Sequence, residues 1–188
     1  MKTYLPKLSL IVVSVFFIAS LMFFKVATAN SELLTESKIK AFYKQYISIQ
    51  MGSTDKAIAF LKRHIHNDFE MMVNVINNME GSPSQKQELN FNKDELLSAT
   101  RKGMSIGKTK SVDHNIISIK IADDGKSAKV KDSSFSIINL SIGSSQMPAK
   151  FIDEQSMLCD TTLVLGDDDR VFIRNSVCNS EDNIRPAE

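Results

Sequence analysis

The 188-residue chain predicts an α+β domain in which leading helices cover one face of a bent antiparallel sheet. Three observations carry this reading. Apolar residues recur at three- and four-residue steps from Ser31 to Ile65, and from Ile117 onward they recur at every second position. Two cysteines, Cys159 and Cys178, fall opposite each other when the last hairpin is folded about its turn. Helices that precede a run of strands, rather than alternating with them, pack on one face of an antiparallel sheet.

The chain starts with Lys2 and Lys7, runs uncharged from Leu8 to Phe24, and then reads Lys25-Val26-Ala27-Thr28-Ala29-Asn30. A basic start, an apolar run and a small-x-small ending form the order of a secretory signal, with cleavage expected after Ala29. The alternative is an uncleaved membrane anchor, for which the apolar run is slightly short and interrupted by Lys25. The expected organisation is a signal at 1–29, one domain at 30–178 and a polar, frayed tail at 179–188. Cleavage removes Lys2, Lys7 and Lys25 and no acid, so 23 less 3 basic residues stand against 22 acidic ones, a net charge of −2. That balance argues against nucleic acid, which asks for a basic surface. A secreted or periplasmic location makes a facing pair of cysteines a disulfide rather than a metal or redox site, and the chain has no Cys-x-x-Cys.

Leu34, Ile39, Phe42, Tyr43, Tyr46, Ile47 and Ile49 make Ser31 to Met51 an amphipathic helix. Gly52-Ser53-Thr54 stops it and caps a second helix from Asp55, whose apolar side is Ala57, Phe60, Leu61 and Ile65. Phe69 to Ile76 reads as strand or irregular chain, and Gly81 to Asn90 as a loop by composition. Asn92-Lys93-Asp94-Glu95 is an N-cap with an acid three positions on, opening a third, short helix through Leu96, Leu97, Ala99 and Met104.

From here the period becomes two. Ile117, Ile119 and Ile121 lead into a turn at Asp124-Gly125, which sets Ile121 opposite Ala128 and Ile119 opposite Val130. The second strand continues through Phe135, Ile137 and Leu140. The closing hairpin folds about Gly166 to Arg170, setting Leu165 opposite Phe172, Leu163 opposite Arg174, Thr161 opposite Ser176 and Cys159 opposite Cys178. Directly opposed residues of an antiparallel pair stand close enough for a disulfide, most easily where the Cα atoms approach to about 4.5 Å.

In this order of elements the chain resembles the nuclear transport factor 2-like superfamily, the cystatin-like cone folds, in its bacterial SnoaL-like branch. The likeness rests on Phe42-Tyr43-Lys44-Gln45-Tyr46 leading to Met51-Gly52-Ser53-Thr54-Asp55-Lys56-Ala57, on Asn92 to Leu97, and on Ile119 to Val130. It implies a strongly curved sheet wrapped around a helix to enclose a pocket, and often a homodimer through the outer sheet face. Enzymes of this fold use polar residues inside the cone, and many members only bind ligands or partners, so the fold leaves function open.

On the closing hairpin one face carries Asp160, Thr162, Val164, Val171, Ile173, Asn175 and Val177. If that face lines the cone, Asp160, Thr162 and Asn175 converge in an apolar pocket, the usual makeup of a small-molecule site, where an acid with a raised pKa serves as a base. The competing reading makes them solvent-facing. Tyr43 and Tyr46, on the helix that the resemblance puts across the cone mouth, are either core aromatics or carbonyl-polarising hydroxyls. His64 and His66, two apart, share no helix face and form no metal site; with His114 they read as ordinary helix-end and loop residues. The chain carries no Gly-x-Ser-x-Gly elbow, no phosphate loop and no cofactor motif. The favoured expectation is an exported, non-catalytic module for a small apolar ligand or a protein partner. The alternatives are an isomerase or lyase using Asp160 as base with Tyr or His help, or, if the N-terminal segment stays uncleaved, a membrane-tethered component of a type IV secretion assembly.

Overall fold

Thr35 starts the first helix, its hydroxyl accepting from the Lys38 amide at 3.2 Å, which satisfies one of the orphan donors of the first turn. A computed structural model describes residues 33–144 and 147–187; the segment read as a secretory signal lies outside them. Helix α1 is Glu36–Gln50 and buries Ile39, Phe42 and Tyr43. Helix α2, Thr54–His64, buries Ala57, Ile58 and Leu61 and carries Lys62 and Arg63 in its last turn, cations suited to its negative end. Helix α3, Lys93–Ile106, opens on a complete capping box: the Asn92 side chain takes the Asp94 and Glu95 amides at 3.0 Å, and Glu95 returns to the Asn92 amide at 2.9 Å.

The strands are β1 Ile65–Met79, β2 Gln85–Asn92, β3 Gly107–Ile121, β4 Ser127–Ser144, β5 Met147–Leu165 and β6 Val171–Pro186. They form one sheet in the order β2-β1-β6-β5-β4-β3, antiparallel throughout except where β1 runs parallel to β6. The expected α+β architecture of helices on an antiparallel sheet is therefore present. Its core is the layer between the helices and the inner sheet face, where Ile39, Ile65, Val130 and Leu163 are all but sealed. Burying one such side chain stabilises the fold by about 1.5–3 kcal/mol.

Two sequence expectations hold to the residue. Ile121 faces Ala128 and Ile119 faces Val130, across a turn in which Gly125 adopts φ +63° and its carbonyl accepts from Leu34 at 2.8 Å. A Cβ at Gly125 would stand 2.9 Å from the Leu33 side chain, so both conformation and space require glycine. Cys159 faces Cys178 with Cα atoms 4.2 Å apart, and the two are disulfide-bonded.

Elsewhere the pairing corrects the sequence reading. Thr161 faces Ser176 as expected, but Leu163 faces Ile173 and Leu165 faces Val171, because Arg174 is an extra residue in β6 between the partners of Thr162 and Leu163. Residues read as a loop, from Gln85 on, form β2, an edge strand that stays polar because one of its sides and most of its surface face water. The tail expected to fray is strand through Pro186. Its backbone pairs on both sides, with β5 and with β1, and its side chains interlock outside the sheet, Asn74 with Asn179 at 3.1 Å and Asn78 with Glu181 and Asn183 at 3.0 Å.

Candidate active site

Three bulges decide what the sheet presents to the helices. In β3, Ile119 and Ile121 point inward; the irregularity between Ile116 and Ser118 turns Ile117 outward, where it is 50% exposed, and moves the inward set to Ile116, His114 and Val112. A second shift between Thr109 and Ser111 brings Thr109 inward. In β6 the Arg174 bulge moves the inward set from Val171 and Ile173 to Ser176, Cys178 and Ser180. Strand β4, by contrast, keeps strict alternation through Ala128, Val130, Asp132, Ser134 and Ser136. Each bulge bends its strand and strengthens the twist, which curls the sheet toward the helices.

The space this leaves between sheet and helices is a cavity of about 290 Å³. One wall is apolar: Phe42, Tyr46 and Ile49 of α1, Leu61 of α2, Phe69 and Met71 of β1, and Leu96 and Met104 of α3. The sheet wall is polar: His114, Asp132, Ser134, Ser136, Gln155, Thr161, Ser176 and the Cys159–Cys178 bridge. An apolar enclosure with a few converging polar groups is the makeup of a small-molecule site.

At its centre a buried carboxylate is held from two sides. Asp132 Oδ2 is 3.0 Å from His114 Nε2, and Asp132 Oδ1 accepts from the Tyr43 hydroxyl at 3.0 Å. The His114 side chain is 6% exposed and Asp132 11%. Because a carboxylate only accepts, Nε2 carries a proton, and in the neutral ring Nδ1 keeps its lone pair. No hydrogen-bond partner of Nδ1 lies among the described residues, and the ring borders the cavity. The Tyr43 ring stacks on His114 with centroids 5.1 Å apart. Burial, and then the Asp132 charge, push the Tyr43 hydroxyl far above the usual phenol range, so it remains a donor to Asp132. The same two causes in the same order raise Tyr46. Behind Tyr43, Thr161 and Ser176 share a hydrogen bond of 2.9 Å, and Ser176 reaches the Cys178 sulfur at 3.4 Å.

A scan against protein-family models and a search of curated proteins each found no match. Solved structures do match. A conserved protein from Planctomyces limnophilus is 12% identical, with a TM-score of 0.53 over 81% of this chain and 97% of that one. An NTF2-like protein of unknown function from Prochlorococcus sp. NATL2A is 9% identical, with a TM-score of 0.49 over 79% and 94% of the two chains. A ketosteroid isomerase-like protein from Erwinia carotovora is 13% identical, with a TM-score of 0.44 over 80% and 97%.

The chain has the nuclear transport factor 2-like cone fold.

The likeness is one of fold, and the cone's contents must be read from this chain. Of the expected pocket residues, Tyr43 and Tyr46 line the cone. Asp160, Thr162 and Asn175 do not. The inward face of β5 is the odd-numbered one, Cys159, Thr161 and Leu163, so Asp160 is exposed on the outer face between Lys131 and Val177, and Thr162 lies outside between Lys129 and Asn175. A carboxylate outside the cone cannot reach a substrate within it, which ends the reading of Asp160 as base. His114, taken as a loop residue, is a strand residue inside the cone. His64 turns its Nδ1 to the Val171 carbonyl at 2.8 Å and stacks on Phe60, while His66 accepts from the Asp68 amide, so the two do not converge. Among the described residues no group of three or more His, Cys, Asp or Glu is placed to hold a metal ion.

One missed residue had a signal. Asp132 continues the inward alternation of Ala128 and Val130, and an acid at the third position of an otherwise apolar face is a site candidate. Following the apolar residues instead, to Phe135 and Ile137, switches to the outer face, where Phe135 is 43% exposed. His114 had no such signal, since counting back by twos from Ile119 puts it outside.

Proposed function

We propose that the cone is the active site of an exported acid–base enzyme that moves a proton next to the carbonyl of a small, largely apolar molecule, an isomerase or lyase chemistry. The observation that carries this is the 3.0 Å contact of His114 Nε2 with Asp132 inside the cavity wall. A base held by a third group, with its free nitrogen toward the space a substrate fills, is the arrangement that proton abstraction needs. His114 takes the proton through Nδ1. Asp132 holds the ring in the tautomer that permits this and stabilises the imidazolium that forms. Tyr43, spent on Asp132, is a positioning residue. Tyr46, kept protonated, is the hydroxyl left to polarise a carbonyl. Export is supported by the disulfide, which persists in oxidising compartments.

The test is α-proton exchange of β-tetralone in deuterated buffer, followed by proton NMR. The wild type accelerates exchange; His114→Ala removes the acceleration, and Asp132→Asn lowers it by roughly 10²–10⁴-fold, the usual weight of a general base or its orienting partner. Binding without exchange, equal in wild type and His114→Ala, assigns the cone to ligand binding alone.

A further inference from the structure

The site has a second polar end, built from β5 and β6. Gln155 faces the cavity from the level of Ser136, two residues beyond the level of His114 along the strands and two strands away from it across the sheet, roughly 7 Å one way and about 10 Å the other. Its Nε2 donates to Asp182 Oδ1 at 3.0 Å, and the same oxygen accepts from Ser180 at 2.7 Å. A carboxylate accepts and never donates when ionised, so the amide cannot turn over without losing this bond. The carbonyl oxygen is thereby left for the cavity: Oε1 has no partner among the described residues, and it is not among the sealed, unsatisfied atoms.

Next to Gln155 along the inward face of β5 stands Asp153, 6% exposed, with a sealed Oδ1 that has no hydrogen-bond partner. Neither Asp153 nor Asp182 is paired with a cation among the described residues. Two carboxylates beside a carbonyl that faces the cavity make this end of it negative, which repels an anion and favours a positive or proton-donating group. Burial, and then the Asp182 charge, raise Asp153 to about 6, in keeping with such a field.

The structure assigns to Gln155 the choice of ligand: the site, read as above, takes a small apolar ketone that carries an O–H or N–H group at the end remote from its reacting carbon. A ligand with a carboxylate, or with only an acceptor at that place, leaves Gln155 facing like polarity.

The probes are a hydroxy derivative of β-tetralone and its fluoro counterpart, matched in size and differing in the proton. Their affinities for the disulfide-bonded protein are measured by ligand-observed NMR titration. The wild type should prefer the hydroxy compound by roughly tenfold, the weight of one buried hydrogen bond. Gln155→Leu should bring the ratio within about twofold, and Asp182→Asn, which frees the amide to turn, should narrow it without weakening the fluoro compound. If Gln155→Leu loses its native circular dichroism, Asp182→Asn decides. Equal affinities in the wild type, a preference that survives both variants, or no binding of either probe at millimolar concentration overturns the assignment. Exchange catalysis separates the two readings: exchange without the preference removes only the role of Gln155, and the preference without exchange removes only the chemistry.

Discussion

Asp153→Asn deletes a charge that the fold holds in place at a cost. Burial and the neighbouring Asp182 raise the carboxyl from 3.8 to about 6, so the folded state binds the proton more tightly than the unfolded chain does. Asp153 therefore favours folding fully below pH 3.8, and that support is lost as pH rises through about 6. The shift of about 2 units corresponds to roughly 3 kcal/mol at 1.36 kcal/mol per unit, all of it opposing the fold by pH 8. Asparagine keeps the shape and removes the titration. Urea unfolding at pH 8 should show the variant more stable than wild type by on the order of 3 kcal/mol, a Tm gain of roughly 6–12 °C for a domain of this size. The gain should shrink toward zero as pH approaches 4. A variant destabilised equally at both pH values would refute the reasoning, since it would mean that the carboxyl makes a contact the fold needs.

Two further outcomes test the frame around the site. His64, whose pKa is lowered chiefly by burial, stabilises the fold in its neutral form, so its share is present above the unfolded value of about 6.5 and lost as pH falls below it; His64→Asn, which can still donate to the Val171 carbonyl, should show a flatter stability profile between pH 5 and 7 than wild type, in the opposite sense to Asp153. Replacing Cys159 and Cys178 together with Ala should cost about 3 kcal/mol for a loop of this length, read as a lower urea midpoint by circular dichroism, and an unchanged midpoint would contradict a structural bridge.

The elements were legible wherever local chemistry sets them. Asn92 with Glu95 announces α3, Asp124-Gly125 announces the β3–β4 turn, and the cysteine pair announces the β5–β6 register at its far end. Legibility failed where pairing supplies what the side chains do not. Gln85–Asn92 and Asn179 onward carry no apolar alternation, yet they are strands because neighbouring backbones complete their hydrogen bonds. The parallel β1–β6 pair joins segments about a hundred residues apart and leaves no local trace.

From its own residues, then, the chain determines where helices begin, where its two hairpins turn and which cysteines meet, because caps, turn residues and period-two runs act over a few residues. Tertiary structure alone decides which side of each strand faces the cone. Single extra residues near Ile117 and Arg174 reverse the parity of β3 and β6, carrying His114 inward to Asp132 and setting Ser176 inward beside Thr161, while Asp160 and Asn175 stay outside. A bulge is specified by how a whole sheet must bend over its helices, and that demand is written in no short stretch of sequence.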